Sequence, residues 1–251
     1  MINLDVYYES FTGSFVLLDL NTGYYKIYND SISSQRYSPC STFKIANSLI
    51  GLESKVAKNA DYLIKYDSIK NPAEPWMLKR EPFKYWMQDH TLKTAIKNSV
   101  VWYYRELATR IGNKNMTKLL GQIDYGNNNI SSGIDNFWLC GSLKISAKEQ
   151  VEFIKKLYYN QVSGFSDKSQ KIVKNIMLNE TTDNYKLYGK TGGGGCFDDK
   201  KIGWYVGFVE TNTGSYVFAM NIIVNDFSYL MQKKQVSLTK KVLRDYKIIN
   251  Y

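Results

Sequence analysis

Runs of β-branched and aromatic residues mark strands near both ends of the chain. Residues 14–20 and 24–28 flank a turn at 21–23, and residues 201–209 and 216–224 flank a second turn. Both turns end in glycine. Two apolar runs joined by a short glycine-containing turn are typical of a β-hairpin. The sequence therefore predicts one hairpin near each end of the chain.

The stretch between the hairpins has a different period. Its apolar residues recur every three or four positions, which predicts helices. The predicted helices cover residues 43–52, 92–111, 116–123, 147–159 and 169–178. A last helix is predicted at about 229–246, where it would pack on the sheet.

These elements together predict an α+β fold. Hairpins at the two ends fit one antiparallel sheet built from both chain ends and flanked by helices, with an inserted all-helical region. We expect a single domain spanning 1–251, because no Pro/Ser-rich linker interrupts the chain. The sheet region would cover about 1–55 and 185–251, and the helical region about 56–184.

Composition and charge narrow the classes of partner. The 251 residues are 44% hydrophobic, which suffices for a core without a disulfide or a metal ion. The net charge is +10, yet lysine and arginine are spread evenly, so a solvated basic surface is expected rather than a nucleic-acid groove. No apolar run approaches the roughly 18–20 residues that span a bilayer. We expect no nucleic-acid partner and no membrane-spanning segment, and the oligomeric state is left open.

The cysteines and the single histidine suggest no further chemistry. Cys40, Cys140 and Cys196 are odd in number and far apart in sequence, so no disulfide framework follows from them. Cys40 and Cys140 are expected to be buried free thiols. No two of the four potential ligands have the short spacing of a zinc-chelating pair, so no metal site is predicted. His90 is expected to serve packing or capping near a helix start.

One short motif could carry nucleophilic chemistry. Ser41 and Lys44 are three residues apart at a predicted helix start, so they share one face with Cβ atoms about 5–6 Å apart. A neutral amine at that distance can activate a serine hydroxyl. The pKa of a lysine must fall by about three units for this, which only a buried, apolar site supplies. The second Ser-x-x-Lys, Ser237 to Lys240, is interpreted as the exposed face of the last helix.

A second motif strengthens this hypothesis. Lys190-Thr191-Gly192 opens a glycine run just before the last hairpin. On an edge strand it would offer a cation, a hydroxyl and backbone amides to an anionic substrate, and the glycines would allow close approach. Ser-x-x-Lys together with Lys-Thr-Gly is the set found in penicillin-recognising serine enzymes.

Five motifs in the same order make the chain resemble a class D, oxacillinase-type, serine β-lactamase over nearly all its length. In chain order they are residues 39–45 (PCSTFKI), 86–96 with 99–104 (SVVWYY), 125–127 (YGN), 137–146 (FWLCGSLKIS) and 190–192 (KTG). The resemblance implies the penicillin-recognising fold and hydrolysis of β-lactam antibiotics, which gives resistance to them. It also implies an extracytoplasmic location, although Met1 leads directly into strand-like sequence without a leader.

The resemblance assigns roles to the catalytic residues. Ser41 would be acylated by the lactam carbonyl. Lys44 would be carboxylated by carbon dioxide, and this carbamate, the only cofactor-like group expected, would be the general base. Trp138 would donate a hydrogen bond to the carbamate, and Ser99 would relay a proton to the leaving nitrogen. Val101 would keep the pocket dry.

It also assigns the substrate contacts. Lys190 and Thr191 would hold the substrate carboxylate beside Gly192. The backbone amides of Ser41 and Gly193 would form the oxyanion hole. Tyr-Gly-Asn at 125–127 is expected to be architectural.

The chain departs from the family pattern in three places. An arginine for the substrate carboxylate is usual shortly before the last helix, and here Lys233 or Lys234 would take its place, without the bidentate fork of arginine. Cys140 occupies a position that is often acidic in the family, and Cys40 directly precedes the nucleophile. No function is assigned to either cysteine.

Two alternatives share the fold. The first is the sensor domain of a β-lactam receptor, which is acylated without turnover; such sensors tend to have Ser-x-Asn where this chain has Ser99-Val100-Val101. The second is a cell-wall D,D-peptidase, which Val101 and Trp138 disfavour.

Overall fold

An antiparallel sheet lies at the centre of the computed structural model, which describes residues 2–9, 11–197 and 199–250. In chain order the strands are β1 (Thr12–Asp19), β2 (Tyr25–Tyr28), β3 (Leu63–Ile64), β4 (His90–Thr91), β5 (Leu178–Thr181), β6 (Tyr185–Phe197), β7 (Lys200–Thr211) and β8 (Gly214–Val224). Six of them form the main sheet in the order β2-β1-β8-β7-β6-β5, and β3 pairs with β4 in a small separate ribbon. The predicted sheet built from both chain ends is confirmed.

Helices cover both faces of this sheet. In chain order they are α1 (Asp30–Ser34), α2 (Lys44–Glu53), α3 (Leu92–Lys97), α4 (Val101–Ile123), α5 (Ala147–Tyr158), α6 (Asp167–Ile176), α7 (Ser228–Met231) and α8 (Lys234–Asp245). Helix α5 packs on β1, β7 and β8 from one side, and α8 packs on β7 and β8. Among the described residues, no helix is both long enough and apolar enough to cross a membrane.

Two hydrophobic cores explain why apolar residues follow one another without polar alternation in the central strands. Along β1, Val16 and Leu18 face the larger core shared with the helical region. Phe15 and Leu17 face the second core, which α8 covers. Successive strand residues point to opposite faces, so a strand buried on both sides loses the polar alternation of a half-exposed one.

The two ends of the chain meet in the middle of the sheet. β1 pairs antiparallel with β8 over its whole length, with Phe15 opposite Met220. The first hairpin, β1 with β2, and the last hairpin, β7 with β8, are therefore neighbours, as predicted.

Several predicted helix boundaries are wrong. The predicted helix at 92–111 is two helices, because Ser99 has a left-handed backbone (φ +54°) that ends the hydrogen-bond ladder. The last helix is likewise divided at Lys233 (φ +53°). The predicted gap after residue 111 is confirmed in part, because the backbone of Gly112 is not helical (φ +76°, ψ +159°) and divides α4 into two segments, the second of which begins earlier than predicted. The inserted region is also not all helical, since it contains the β3–β4 ribbon and β5.

Candidate active site

A 3-10 turn at the start of α2 positions the first two site residues. The turn Cys40–Phe43 runs directly into α2, whose first residue is Lys44. Ser41 is half-buried and Lys44 is fully buried. The structure brings them together: Lys44 Nζ donates a hydrogen bond to Ser41 Oγ at 2.6 Å. The three-residue spacing thus delivers an amine to a serine hydroxyl.

The surroundings of Lys44 oppose a positive charge. Burial, together with the positive charges of Lys190 and Arg105, holds the pKa of Lys44 well below its usual range. The nearest aromatic face belongs to Tyr104, whose ring centre lies 5.6 Å from Lys44 Nζ. Burial therefore favours the neutral amine, the state in which it can accept a proton.

Ser99 joins this pair to a second buried lysine. Its hydroxyl accepts a hydrogen bond from Lys44 Nζ at 3.4 Å and one from Lys190 Nζ at 3.0 Å. The left-handed backbone between α3 and α4 is what places Ser99 there. Ser41, Lys44, Ser99 and Lys190 thus form one hydrogen-bonded chain along which protons can move.

Lys190 lies on β6 at the wall of a cavity of about 400 Å³. Ser99, Thr191 and Lys233 line the same cavity. Burial lowers the pKa of Lys190 to about 7, and the charge of Lys233 adds to this effect. The cavity therefore presents cationic groups and a hydroxyl beside the serine–lysine pair, a combination that suits an anionic substrate.

Glycines let β6 approach the nucleophile closely. A Cβ atom on Gly192 would lie 2.8 Å from the carbonyl oxygen of Pro39, too close for any other residue without a shift. β5 pairs with β6 only up to Tyr188, so in the described chain β6 from Lys190 onward is paired with β7 alone. The expected edge strand is thus an edge over its second half only, and that half faces the site.

Trp138 has an unused hydrogen-bond donor. The side chain is fully buried, and its ring centre lies 5.5 Å from that of Phe43, the residue before Lys44. Its backbone carbonyl accepts from the Ser38 hydroxyl. The indole Nε1 has no hydrogen-bond partner among the described residues. An unsatisfied buried donor costs about 1–3 kcal/mol, so this N–H is a candidate for binding a group beside Lys44.

Other expected residues lie further from this chain of contacts. Val101, the first residue of α4, lines a neighbouring groove with Trp86 and Trp102. Tyr125 is buried and donates to Gln150 Oε1, which fits the architectural role expected for it. His90 is buried between the Thr94 hydroxyl and a backbone carbonyl, as expected for a structural residue.

The cysteines depart from expectation. Cys140 and Cys196 form a disulfide, whereas a free thiol was expected for Cys140 and no disulfide was predicted. Cys40 is free and buried, with its Sγ 3.4 Å from that of Cys196. The cysteines are far apart in sequence, so only tertiary packing brings them together. Tyr104 and Arg105, which shape the surroundings of Lys44, were also missed, because helical spacing alone does not identify them.

Comparisons with known proteins agree on one family. The model of the penicillin-binding protein transpeptidase domain matches residues 13–244. The chain is 40% identical over 248 residues to the probable β-lactamase YbxI of Bacillus subtilis, covering 99% of this chain and 86% of that protein. It is 35% identical over 243 residues to the methicillin resistance mecR1 protein of Staphylococcus aureus, covering 97% of this chain and 39% of that protein.

A solved structure extends the match to the whole fold. The class D β-lactamase from Bacillus subtilis superposes with a TM-score of 0.87 at 37% identity, covering 100% of this chain and 98% of that one. Since sequence, fold and motif order agree over nearly the whole chain, the protein belongs to the class D β-lactamases, a family of hydrolases that act on β-lactams.

Proposed function

We propose that this protein hydrolyses β-lactam antibiotics through an ester on Ser41, and thereby gives resistance to them. The observation that carries the proposal is the fully buried Lys44 amine hydrogen-bonded to the Ser41 hydroxyl. A buried amine whose pKa is lowered can activate a neighbouring serine, because it no longer holds a proton as firmly as a free lysine does.

The proposed reaction has two steps, acylation of Ser41 and hydrolysis of the resulting ester. Ser41 Oγ attacks the lactam carbonyl carbon and loses its proton toward Lys44. The new C–O bond forms as the C–N bond of the ring breaks, and the ring nitrogen receives a proton through Ser99, which contacts both buried lysines. Water then cleaves the ester, releases the opened acid and restores the Ser41 hydroxyl.

Substrate binding is assigned to the side of the cavity that Lys190 lines. Lys190 and Thr191 hold the carboxylate that β-lactams carry, and Lys233 adds a second cation at the cavity wall. The amides of Ser41 and Gly193 receive the developing oxyanion. Gly192 supports this arrangement, because its missing side chain lets β6 lie against the turn before Ser41.

We also propose that carbon dioxide carboxylates Lys44. The residues fit the group: the amine is buried and its pKa is lowered, and the Trp138 N–H, which has no partner in the described part of the chain, supplies a buried donor on a ring that packs against Phe43. Carbon dioxide adds to the amine lone pair, an N–C bond forms, and one amine proton leaves to water. When bound, the group supplies a carboxylate general base.

Labelling tests the carbamate independently of activity. In ¹³C-bicarbonate, the folded protein should give one protein-bound carbamate signal by NMR, and Lys44→Met should lose it. Lys190→Met is the matched control, because Lys190 is the other buried lysine with a lowered pKa, and it should keep the signal. A signal that follows Lys190, or none, contradicts carboxylation at Lys44.

The sensor domain of a β-lactam receptor, which would share this fold, is the second candidate. Apolar Val101, where sensors tend to carry asparagine, favours turnover. Mass spectrometry after mixing with a penicillin decides between them. We expect an adduct on Ser41 that decays within the assay while the antibiotic is consumed. A lasting adduct would support the sensor, and no adduct would reject both. Location outside the cytoplasm stays a prediction, which fractionation of the native host tests.

A further inference from the structure

Three sulfur atoms meet beside the nucleophile. Cys40 lies in the turn of Ser41, Cys140 follows Trp138 by two residues, and Cys196 lies on β6. Their Sγ atoms all lie within 4.8 Å of one another. Three separate segments of the chain thus contribute one sulfur each to a single cluster.

All three sulfurs lie against Gly194. A Cβ atom built on Gly194 would be 3.0 Å from Cys140 Sγ, 3.0 Å from Cys40 Sγ and 3.1 Å from Cys196 Sγ. A side chain at this position would therefore push the sulfurs apart. Glycine at 194 lets three potential ligand atoms lie close enough together to share one cation.

We propose that Cys40, Cys140 and Cys196 form, once the Cys140–Cys196 disulfide is reduced, a three-thiolate site for one thiophilic divalent cation of the zinc class. A dithiol or phosphine reductant supplies the two electrons that open the disulfide. Binding of the cation then releases the three thiol protons to solvent and forms three metal–sulfur bonds.

The required movement is small. Zinc–sulfur bonds are about 2.3 Å, so three sulfurs around one ion lie roughly 3.7–4.0 Å apart. The Cys40 and Cys196 sulfurs are already 3.4 Å apart. After reduction the Cys140 sulfur is free to rotate away from Cys196, and the upper limit of 4.8 Å between any two of the sulfurs leaves about 1 Å to close.

The surroundings of the three sulfurs suit a metal site whose fourth coordination position is open. The Ser38 hydroxyl is the nearest polar group, 3.8 Å from Cys40 Sγ, but it already donates to the Trp138 carbonyl and accepts from the Cys140 amide. The fourth position is thus left to water or a small anion. A groove that Cys196 shares with Lys144 and Lys200 gives access from outside the catalytic cavity, and these cations offset the negative charge of three thiolates around a divalent ion.

Cadmium titration of the reduced protein tests the site without reference to catalysis. With excess reductant removed under anaerobic conditions, we expect one Cd²⁺ per chain, seen as sulfur-to-cadmium charge-transfer absorption, and displacement by Zn²⁺. The disulfide form should bind none. Each of Cys40→Ser, Cys140→Ser and Cys196→Ser should weaken binding at least about 100-fold, because loss of even an outer partner costs 10–100-fold.

Two further measurements keep the test decisive where a serine variant fails to fold. Gly194→Ala retains all three thiols but fills the shared space, so it should also weaken cadmium binding, whereas Gly121→Ala, on open helix surface, should not. In the reduced protein without substitutions, Zn²⁺ should slow alkylation of all three thiols together. No uptake by the reduced protein, or uptake that survives loss of any one cysteine, overturns the proposal.

Discussion

Two buried lysines determine the chemistry at the scale of single residues. Lys44 and Lys190 meet at the Ser99 hydroxyl, and each amine is kept from its ordinary charge mainly by burial. The surroundings of the two amines differ. Lys44 is closed among helices, whereas Lys190 lines the substrate cavity and retains its proton up to about pH 7. Unequal environments of this kind separate a base from an anion-binding cation.

Removal of the unpartnered indole donor should weaken catalysis selectively. Trp138→Phe removes the N–H together with the five-membered ring of the indole and keeps one aromatic ring in contact with Phe43. A hydrogen bond to a charged group contributes about 1.5–3 kcal/mol, so we expect deacylation to slow roughly 10–100-fold, with partial recovery in added bicarbonate. Stopped-flow measurement of both steps checks this. Equal slowing of acylation and deacylation would assign Trp138 a packing role.

The pH profile should have a limb for each lysine. As pH rises above about 7, Lys190 loses its proton, so kcat/KM for an anionic β-lactam should fall. As pH falls, Lys44 gains a proton and ceases to act as a base, so kcat/KM should fall on the acid side too. Lys190→Arg, which keeps its charge, should move the alkaline limb up by at least about one pH unit. An unmoved limb would mean that another group titrates there.

At the scale of secondary-structure elements, residues with a left-handed backbone at the ends of elements position the site. Cys40, Ser99, Cys140 and Lys233 all have φ between +48° and +61°, and each lies in or beside the site. Each such non-glycine residue costs about 1–2 kcal/mol of backbone free energy. Strain of this kind collects at functional sites, where the surrounding packing holds it in place.

These residues also explain how far the sequence could predict the structure. The hairpins and α5 were predicted well, because both sheet faces and one helix face are buried and the hydrophobic period follows directly. The break at Ser99 was not, because apolar spacing continues across α3 and α4 and no glycine or proline marks the interruption. Local spacing in the sequence is enough to predict the serine–lysine pair. The contact among the three cysteines depends on tertiary packing alone.

Contact between β6 and the turn of the nucleophile should be sensitive to a single methyl group. In Gly192→Ala the new Cβ would lie 2.8 Å from the Pro39 carbonyl oxygen and 3.0 Å from Thr42 Cγ2. We expect kcat/KM to fall about 100-fold, as for a misplacement of about 1 Å, and unfolding to become easier by about 1–3 kcal/mol. Gly121→Ala has open space around its Cβ and should leave kcat/KM unchanged. Steady-state kinetics and thermal melts compare the two.

Function and stability oppose each other at the scale of the whole molecule. Lys44 is one of the largest fully buried side chains, and it lies inside the larger of the two cores. A core built for stability alone would have an apolar residue at this position. The free energy of folding is thus lowered to keep an amine where it can react.

Replacement of this amine should stabilise the protein and abolish turnover. Lys44→Met keeps a similar length and removes the buried polar group, so we expect the free energy of unfolding to rise by about 0.5–2 kcal/mol. Lys118→Met, at an exposed position of α4, should change it much less. Denaturant titration measures both. A loss of stability in Lys44→Met would show that the amine is well accommodated.

The pairing of β1 with β8 has a consequence for biosynthesis. The two strands are about 200 residues apart, with Phe15 opposite Met220. At roughly 5–20 residues per second, a ribosome needs about 10–40 s to make the partner after β1 has been translated. During that interval a strand with two apolar faces has no neighbour on its β8 side, so the nascent chain depends on chaperones or rapid handling until the last hairpin emerges.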